Sequence, residues 1–74
     1  MTSAYILINT KAGYEYTVYE ILKDIGGVVE TTIVYGVYDI VLKTETSGDE
    51  QLKEIIDQIR KVDKIKSTLT LIGI

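Results

Sequence analysis

Seventy-four residues hold one domain at most, and a chain this short buries only roughly 60% of the surface its unfolded form exposes, so a single core leaves it marginal. With no Cys and no His, disulfide staples and the usual zinc sites are excluded, and oligomerisation is the expected source of extra stability. Eleven acids against eight bases give a net charge of −3 and a pI near 4.7, the wrong sign for direct nucleic-acid contact, which usually needs a basic patch.

Met1-Thr2-Ser3-Ala4 carries no basic segment ahead of an apolar one, and no apolar run approaches the ~20 residues that cross a bilayer. The expectation is a soluble, cytoplasmic domain spanning residues 1–74, with no membrane contact.

Ala4 to Thr10 reads as a strand. Its centre, Tyr5-Ile6-Leu7-Ile8, is apolar on both parities, which predicts a central strand covered on both sides. After Gly13, Tyr14 to Ile25 reads as a helix. Tyr14, Val18, Ile21, Leu22 and Ile25 fall on one face at the 3.6-residue period, and Gly26-Gly27 close it. Tyr16 and Tyr19 fall on the outward face, either as plain surface aromatics or as a patch for a partner subunit.

Val28 to Tyr35 is a second strand, rich in β-branched residues. Gly36 punctuates it, and Tyr38 to Thr46 is a third, so short a link implying an antiparallel hairpin. Ser47 with Glu50 matches a capping box. The helix it opens presents Leu52, Ile55, Ile56 and Ile59 on one face. Its acids come early and its bases late, as the helix dipole favours, and Asp57 with Lys61 forms an i,i+4 pair of favoured polarity. A fourth strand runs from Lys64 to Ile72, with Ser67, Leu69 and Leu71 on one parity and Thr68, Thr70 and Ile72 on the other.

The order is therefore βαββαβ, an α+β ferredoxin-like fold. Right-handed crossovers place both helices on one face of a four-stranded antiparallel sheet, with the first and third strands central. The other face needs a cover, and a second copy of the same sheet supplies one, giving a dimeric α+β barrel.

The chemistry available is thin. Without His or Cys the common general base and the strongest nucleophile are missing, no carboxylates are spaced as an acid/base couple, and Gly26-Gly27 follows a helix instead of opening one, so it is no phosphate loop. Neither cofactor nor metal is implied. Asp39 is the exception among the acids. Its local role is to accept backbone N–H bonds at the turn. Its functional role uses the same geometry: Gly36 lets a ligand approach the backbone, free N–H groups around the turn hold a carboxylate, and Asp39 takes an ammonium. Thr68 and Thr70 are either ordinary strand threonines or hydroxyl donors to a ligand between subunits.

Val34-Tyr35-Gly36-Val37-Tyr38-Asp39-Ile40, set between two helices in this order, closely resembles the effector-binding domain of the Lrp/AsnC (feast/famine) regulators. Ala4-Tyr5-Ile6-Leu7-Ile8 and Ser67-Thr68-Leu69-Thr70-Leu71-Ile72 match it too. The Gly-x-x-Asp turn is the most specific part. The family's usual amino-terminal helix-turn-helix is absent from these residues, so the resemblance is to a stand-alone RAM domain. It implies homodimers joined sheet to sheet, further assembly into octamers or other rings, and an amino-acid effector between dimers. Carried over, Tyr35, Gly36, Tyr38 and Asp39 line the pocket, with Thr68 and Thr70 as weaker additions. Co-assembly with a full-length Lrp/AsnC relative would link such a domain to transcription. Two other readings stand beside this one. One is a purely structural assembly partner. The other is a small cofactor-free enzyme of the dimeric ferredoxin-like type, whose polar chemistry would be Tyr5, Tyr35, Tyr38 and Asp39.

Overall fold

Alternating burial along two strands organises the molecule. In β1 (Thr2–Thr10), Ala4, Ile6, Ile8 and Thr10 are buried, and in β3 (Ile40–Thr46), Ile40, Leu42, Thr44 and Thr46 are. The computed structural model describes residues 1–73, and its remaining elements are α1 (Glu15–Leu22), β2 (Val28–Ile33), α2 (Asp49–Arg60) and β4 (Ile65–Ile72). The strands form one antiparallel sheet in the order β2-β3-β1-β4. The first and third strands are thus the two central ones, as expected.

Both helices lie on one face. Val18 and Leu22 of α1 and Ile55 and Ile59 of α2 close over Ile6, Ile8, Ile40 and Leu42 to form the core. Burying threonine here requires partners for its hydroxyl: Thr44 Oγ1 donates to the Ala4 carbonyl at 3.2 Å and Thr46 Oγ1 to the Thr2 carbonyl at 3.3 Å.

The opposite face carries no helix. Leu7 sits at its centre, paired with Val41 on β3 and Leu69 on β4. Tyr5 lies beside them, paired with Lys43 and Leu71. Tyr5, Leu69 and Leu71 each keep 43–49% of their surface exposed, an apolar band across three strands.

Several local expectations are corrected. Helix α1 is eight residues, Glu15–Leu22, shorter than Tyr14 to Ile25. It gives way to tight turns in which Ile25 N–H donates to Leu22 O and Val28 N–H to Ile25 O. Its inner face also differs: Tyr19 packs against the core, whereas Ile21 is 48% exposed. Tyr16 does point outward, 75% exposed. The capping box is not formed. Gly48 is the N-cap of α2 with no side-chain cap, and Ser47 instead gives both its N–H and its hydroxyl to Gln51 Oε1, at 2.9 and 3.1 Å. The amide one residue further along thus displaces Glu50 as the reciprocal partner. The ion pairs among the described residues are Glu20–Lys23 at 2.8 Å and Asp63–Lys64 at 3.5 Å, so Asp57 and Lys61 do not pair. Glu20 holds the exposed Lys23 ammonium above the ordinary lysine range by its hydrogen bond and charge.

Gly27, at φ +95°, joins the α1 turns to β2, and a Cβ there would stand 2.6 Å from Ile55 Cδ1, a fully buried side chain. Gly27→Ala therefore combines a strained backbone with overpacking and is expected to cost about 2–3 kcal/mol in urea denaturation. A loss below about 0.5 kcal/mol would mean that Ile55 yields freely.

Candidate functional site

The β2–β3 connection is longer than a tight hairpin. The last strand pair is Ile33 with Ile40, so Val34 and Tyr35 belong to the turn and not to β2, and Tyr38 and Asp39 precede β3. Val34 N–H donates to the Asp39 carbonyl at 2.8 Å and closes the loop.

Asp39 is held twice by β1. Its N–H donates to the Ile8 carbonyl at 2.9 Å, and its Oδ2 accepts from Thr10 N–H at 2.8 Å and Thr10 Oγ1 at 3.4 Å. The carboxylate does accept a backbone N–H, but from the neighbouring central strand and not from its own turn. Its Oδ1 has no hydrogen-bond partner among the described residues.

Four consecutive amides, those of Tyr35, Gly36, Val37 and Tyr38, likewise find no acceptor among the described residues. Gly36 has φ +121°, a left-handed conformation that favours glycine, and nothing lies within 4 Å of where a Cβ would project. Tyr35 is fully exposed and Val37 largely so.

A groove of about 360 Å³ opens beside this turn, lined by Glu15, Tyr16, Ile33, Val34, Tyr35 and Asp39. The topology accounts for it: α1 starts just after β1 ends at Thr10, and β3 starts against that same end. The first turn of α1 thereby becomes the second wall. The volume lies within the usual range of small-ligand sites, roughly 300–1,000 Å³.

Of the residues singled out from the sequence, Tyr35 and Asp39 line the groove, while Gly36 and Tyr38 belong to the same turn without lining it. Thr68 and Thr70 do not join them within one chain. They pair with Ile8 and Ile6 on the helix-covered face of edge strand β4, on the other side of β1 from Asp39. Glu15 and Tyr16 were missed. The signal was present in the antiparallel pairing of β1 with β3, which brings the start of α1 to the turn. Tyr5 lies on the open sheet face with Lys43 and Leu71, so one chain does not assemble the enzyme constellation of Tyr5, Tyr35, Tyr38 and Asp39. No group of three or more metal-ligating side chains occurs among the described residues, and no described helix is long and apolar enough to cross a membrane.

The βαββαβ order and the sheet order β2-β3-β1-β4 place the chain in the ferredoxin-like α+β class. Residues 3–74 match the family model described as the Lrp/AsnC ligand binding domain, and the chain belongs to that family. It is 33% identical over 69 residues to the HTH-type transcriptional regulator FL11 of Pyrococcus furiosus, covering 93% of this chain and 46% of that one. It is also 46% identical over 46 residues to a homocitrate synthase of Sulfolobus acidocaldarius, covering 62% of this chain and 10% of the synthase. The chain therefore spans less than half the length of these curated relatives. Among solved structures, PHS023 of Pyrococcus horikoshii superposes with a TM-score of 0.92 at 41% identity, covering 100% of this chain and 90% of that one. AsnC of E. coli superposes with a TM-score of 0.90 at 27% identity, covering 99% of this chain and 50% of that one.

Proposed function

We propose that this chain is an amino-acid-responsive regulatory module that assembles through its open sheet face and holds a small effector in the groove beside Tyr35–Asp39. The observation that carries the reading is the juxtaposition of four unengaged amides with an anchored carboxylate that keeps one oxygen free. Clustered N–H groups bind a carboxylate, and Asp39 Oδ1 accepts from an ammonium, so together they suit a zwitterion. The effector lies at a seam between dimers within a ring. Thr68 and Thr70, remote from the turn in their own chain, reach it from a neighbouring one. Output follows if the assembled and dissociated states differ in effector affinity.

Membership of the Lrp/AsnC family supports a role in transcription, through a full-length DNA-binding relative with which this module co-assembles. The partial match to a homocitrate synthase supports a sensor whose use does not depend on a DNA-reading partner. The module itself is not an enzyme on this reading.

Calorimetry against the twenty amino acids tests the proposal, with Asp39→Asn as the decisive variant. Asparagine keeps an oxygen for Thr10 N–H and loses the charge. Affinity is expected to fall at least tenfold, about 1.4 kcal/mol, with little change in melting temperature. Unchanged affinity would remove Asp39 from the site. An oligomer whose mass and melting temperature ignore every amino acid would instead mark a purely structural partner.

A further inference from the structure

A second groove, of about 390 Å³, runs along the outer side of α2, and it shares no residue with the groove beside the turn. Six of its lining residues lie on α2, spaced as a single stripe along the whole helix. Its floor is apolar, with Leu52 and Ile56 from the helix and Ile72 from β4. Ile72 pairs with Ala4 and so shares the helix-covered face of the sheet, yet 57% of it is exposed. Ile56 is only partly buried.

The rim of the groove alternates in charge. Asp49, Lys53, Asp57 and Arg60 follow one another along the stripe, and all four are exposed. The helix dipole accounts for an acid in the first turn and a base in the last, but not for Lys53 and Asp57 between them. Pairing within the helix, three or four residues apart, is the ordinary use of such an order. These residues do not make it: the ion pairs among the described residues are Glu20–Lys23 and Asp63–Lys64.

The order is instead complementary to itself. With two copies of α2 laid antiparallel, Asp49 of each meets Arg60 of the other, and Lys53 of each meets Asp57 of the other. Every pairing joins opposite signs and appears twice, as a two-fold contact requires. The two pairings share a midpoint to within half a residue, about 0.8 Å along the axis. Ile56 lies next to that midpoint, where it meets its own copy. A parallel, in-register contact would set like charges against each other along the entire stripe.

We propose that the outer stripe of α2 is a self-recognition surface, on which a second copy of this chain docks antiparallel and is selected by the charge order of the rim. The stripe and the open sheet face lie on opposite sides of the molecule, so both contacts form at once, and dimers joined by their sheets link through α2 into a larger closed assembly. This rests on the assembly described under the proposed function and assigns a seam of the ring. The stripe is only about 16 Å long, small beside a standard interface. It holds through closure, because a dimer in a ring is gripped at two such seams. Lys53 and Asp57 set the choice of partner, since a chain with another charge order meets repulsion there.

The test uses two charge reversals on the full chain, Lys53→Glu and Asp57→Lys, read by sedimentation and native mass. Both positions are exposed, and a thermal melt confirms that each variant folds. The wild type is expected to form a species at least twice the mass of a dimer. Each variant alone should stop at the dimer, because residues 53 and 57 then meet with like charge at both ends of the contact. An equimolar mixture should regain the wild-type mass, because Glu at 53 in one variant meets Lys at 57 in the other. A charge that served only its own helix could not be repaired by a second chain. Either variant keeping the wild-type mass, or a mixture that stays dimeric, would overturn the seam and leave the ring standing on other contacts. A wild type no larger than a dimer would overturn the seam and the ring together.

Discussion

Leu7→Asp is expected to turn the assembled protein into a monomer that still folds. Leu7 is the centre of the open sheet face, flanked by Val41 and Leu69 on the strands to either side, with Tyr5 and Leu71 next along the band. In a two-fold interface the same substitution appears twice, once from each subunit. Each copy removes about 1.5–3 kcal/mol of apolar burial and adds a carboxylate, which costs more again when desolvated. The fold has little reason to fail, because Leu7 faces away from the core that Ile6 and Ile8 enter. Sedimentation at micromolar concentration reads the result directly, and the wild type should show a melting temperature that rises with protein concentration. A Leu7→Asp protein that keeps the wild-type mass would place the assembly interface elsewhere.

Leu42→Ala tests the other side of the sheet. Leu42 is fully buried on central strand β3, between Ile6 on β1 and Thr31 on β2. Truncating a buried leucine costs about 2–5 kcal/mol, depending on how far the neighbours relax. At roughly 0.05–0.15 kcal/mol per residue, a chain of this length has about 4–11 kcal/mol in total. The variant should therefore lose a large share of its stability. Its urea midpoint is expected to fall with little change in slope. A loss under about 1 kcal/mol would contradict the tight packing of Leu42 beneath the helices.

Where the sequence was legible, it was so because one physical rule dominated. Two-sided apolar strands mark the sheet centre, and β1 and β3 are the central pair. The period of Leu52, Ile55 and Ile59 defined α2, and all three are buried. Helix α1 shows where such rules tie. At 100° per residue, Tyr19 and Ile21 each lie about 80° from the line through Val18 and Leu22, so periodicity alone cannot decide which turns inward. The packing chose Tyr19. At Ser47, two possible partners one residue apart obey nearly the same local logic, and the contact formed is to Gln51.

The candidate site divides in a similar way. Glycine and an acid in a short link were visible as a turn. The destination of the Asp39 carboxylate was not, because Thr10 lies 29 positions away along the chain. Parity correctly put Thr68 and Thr70 on one face, but parity does not report position across a sheet. Only the pairing with Ile8 and Ile6 reveals that β1 separates them from the turn. Glu15 reads as one more acid on a helix surface until the same topology brings it to the groove that Asp39 also lines.

The abrupt change at Asp39 gives the molecule a built-in reporter for amide hydrogen exchange. The N–H groups of Tyr35, Gly36, Val37 and Tyr38 have no acceptor among the described residues, so they should trade deuterium at nearly the rate of an unfolded peptide. The next one, Asp39 N–H, is bound to Ile8 on the central strand and should exchange only when the sheet itself opens. Protection therefore steps from almost nothing to that of the core between two consecutive residues. An effector that captures the turn amides would erase this step from its fast side, leaving Asp39 as an internal standard in every spectrum.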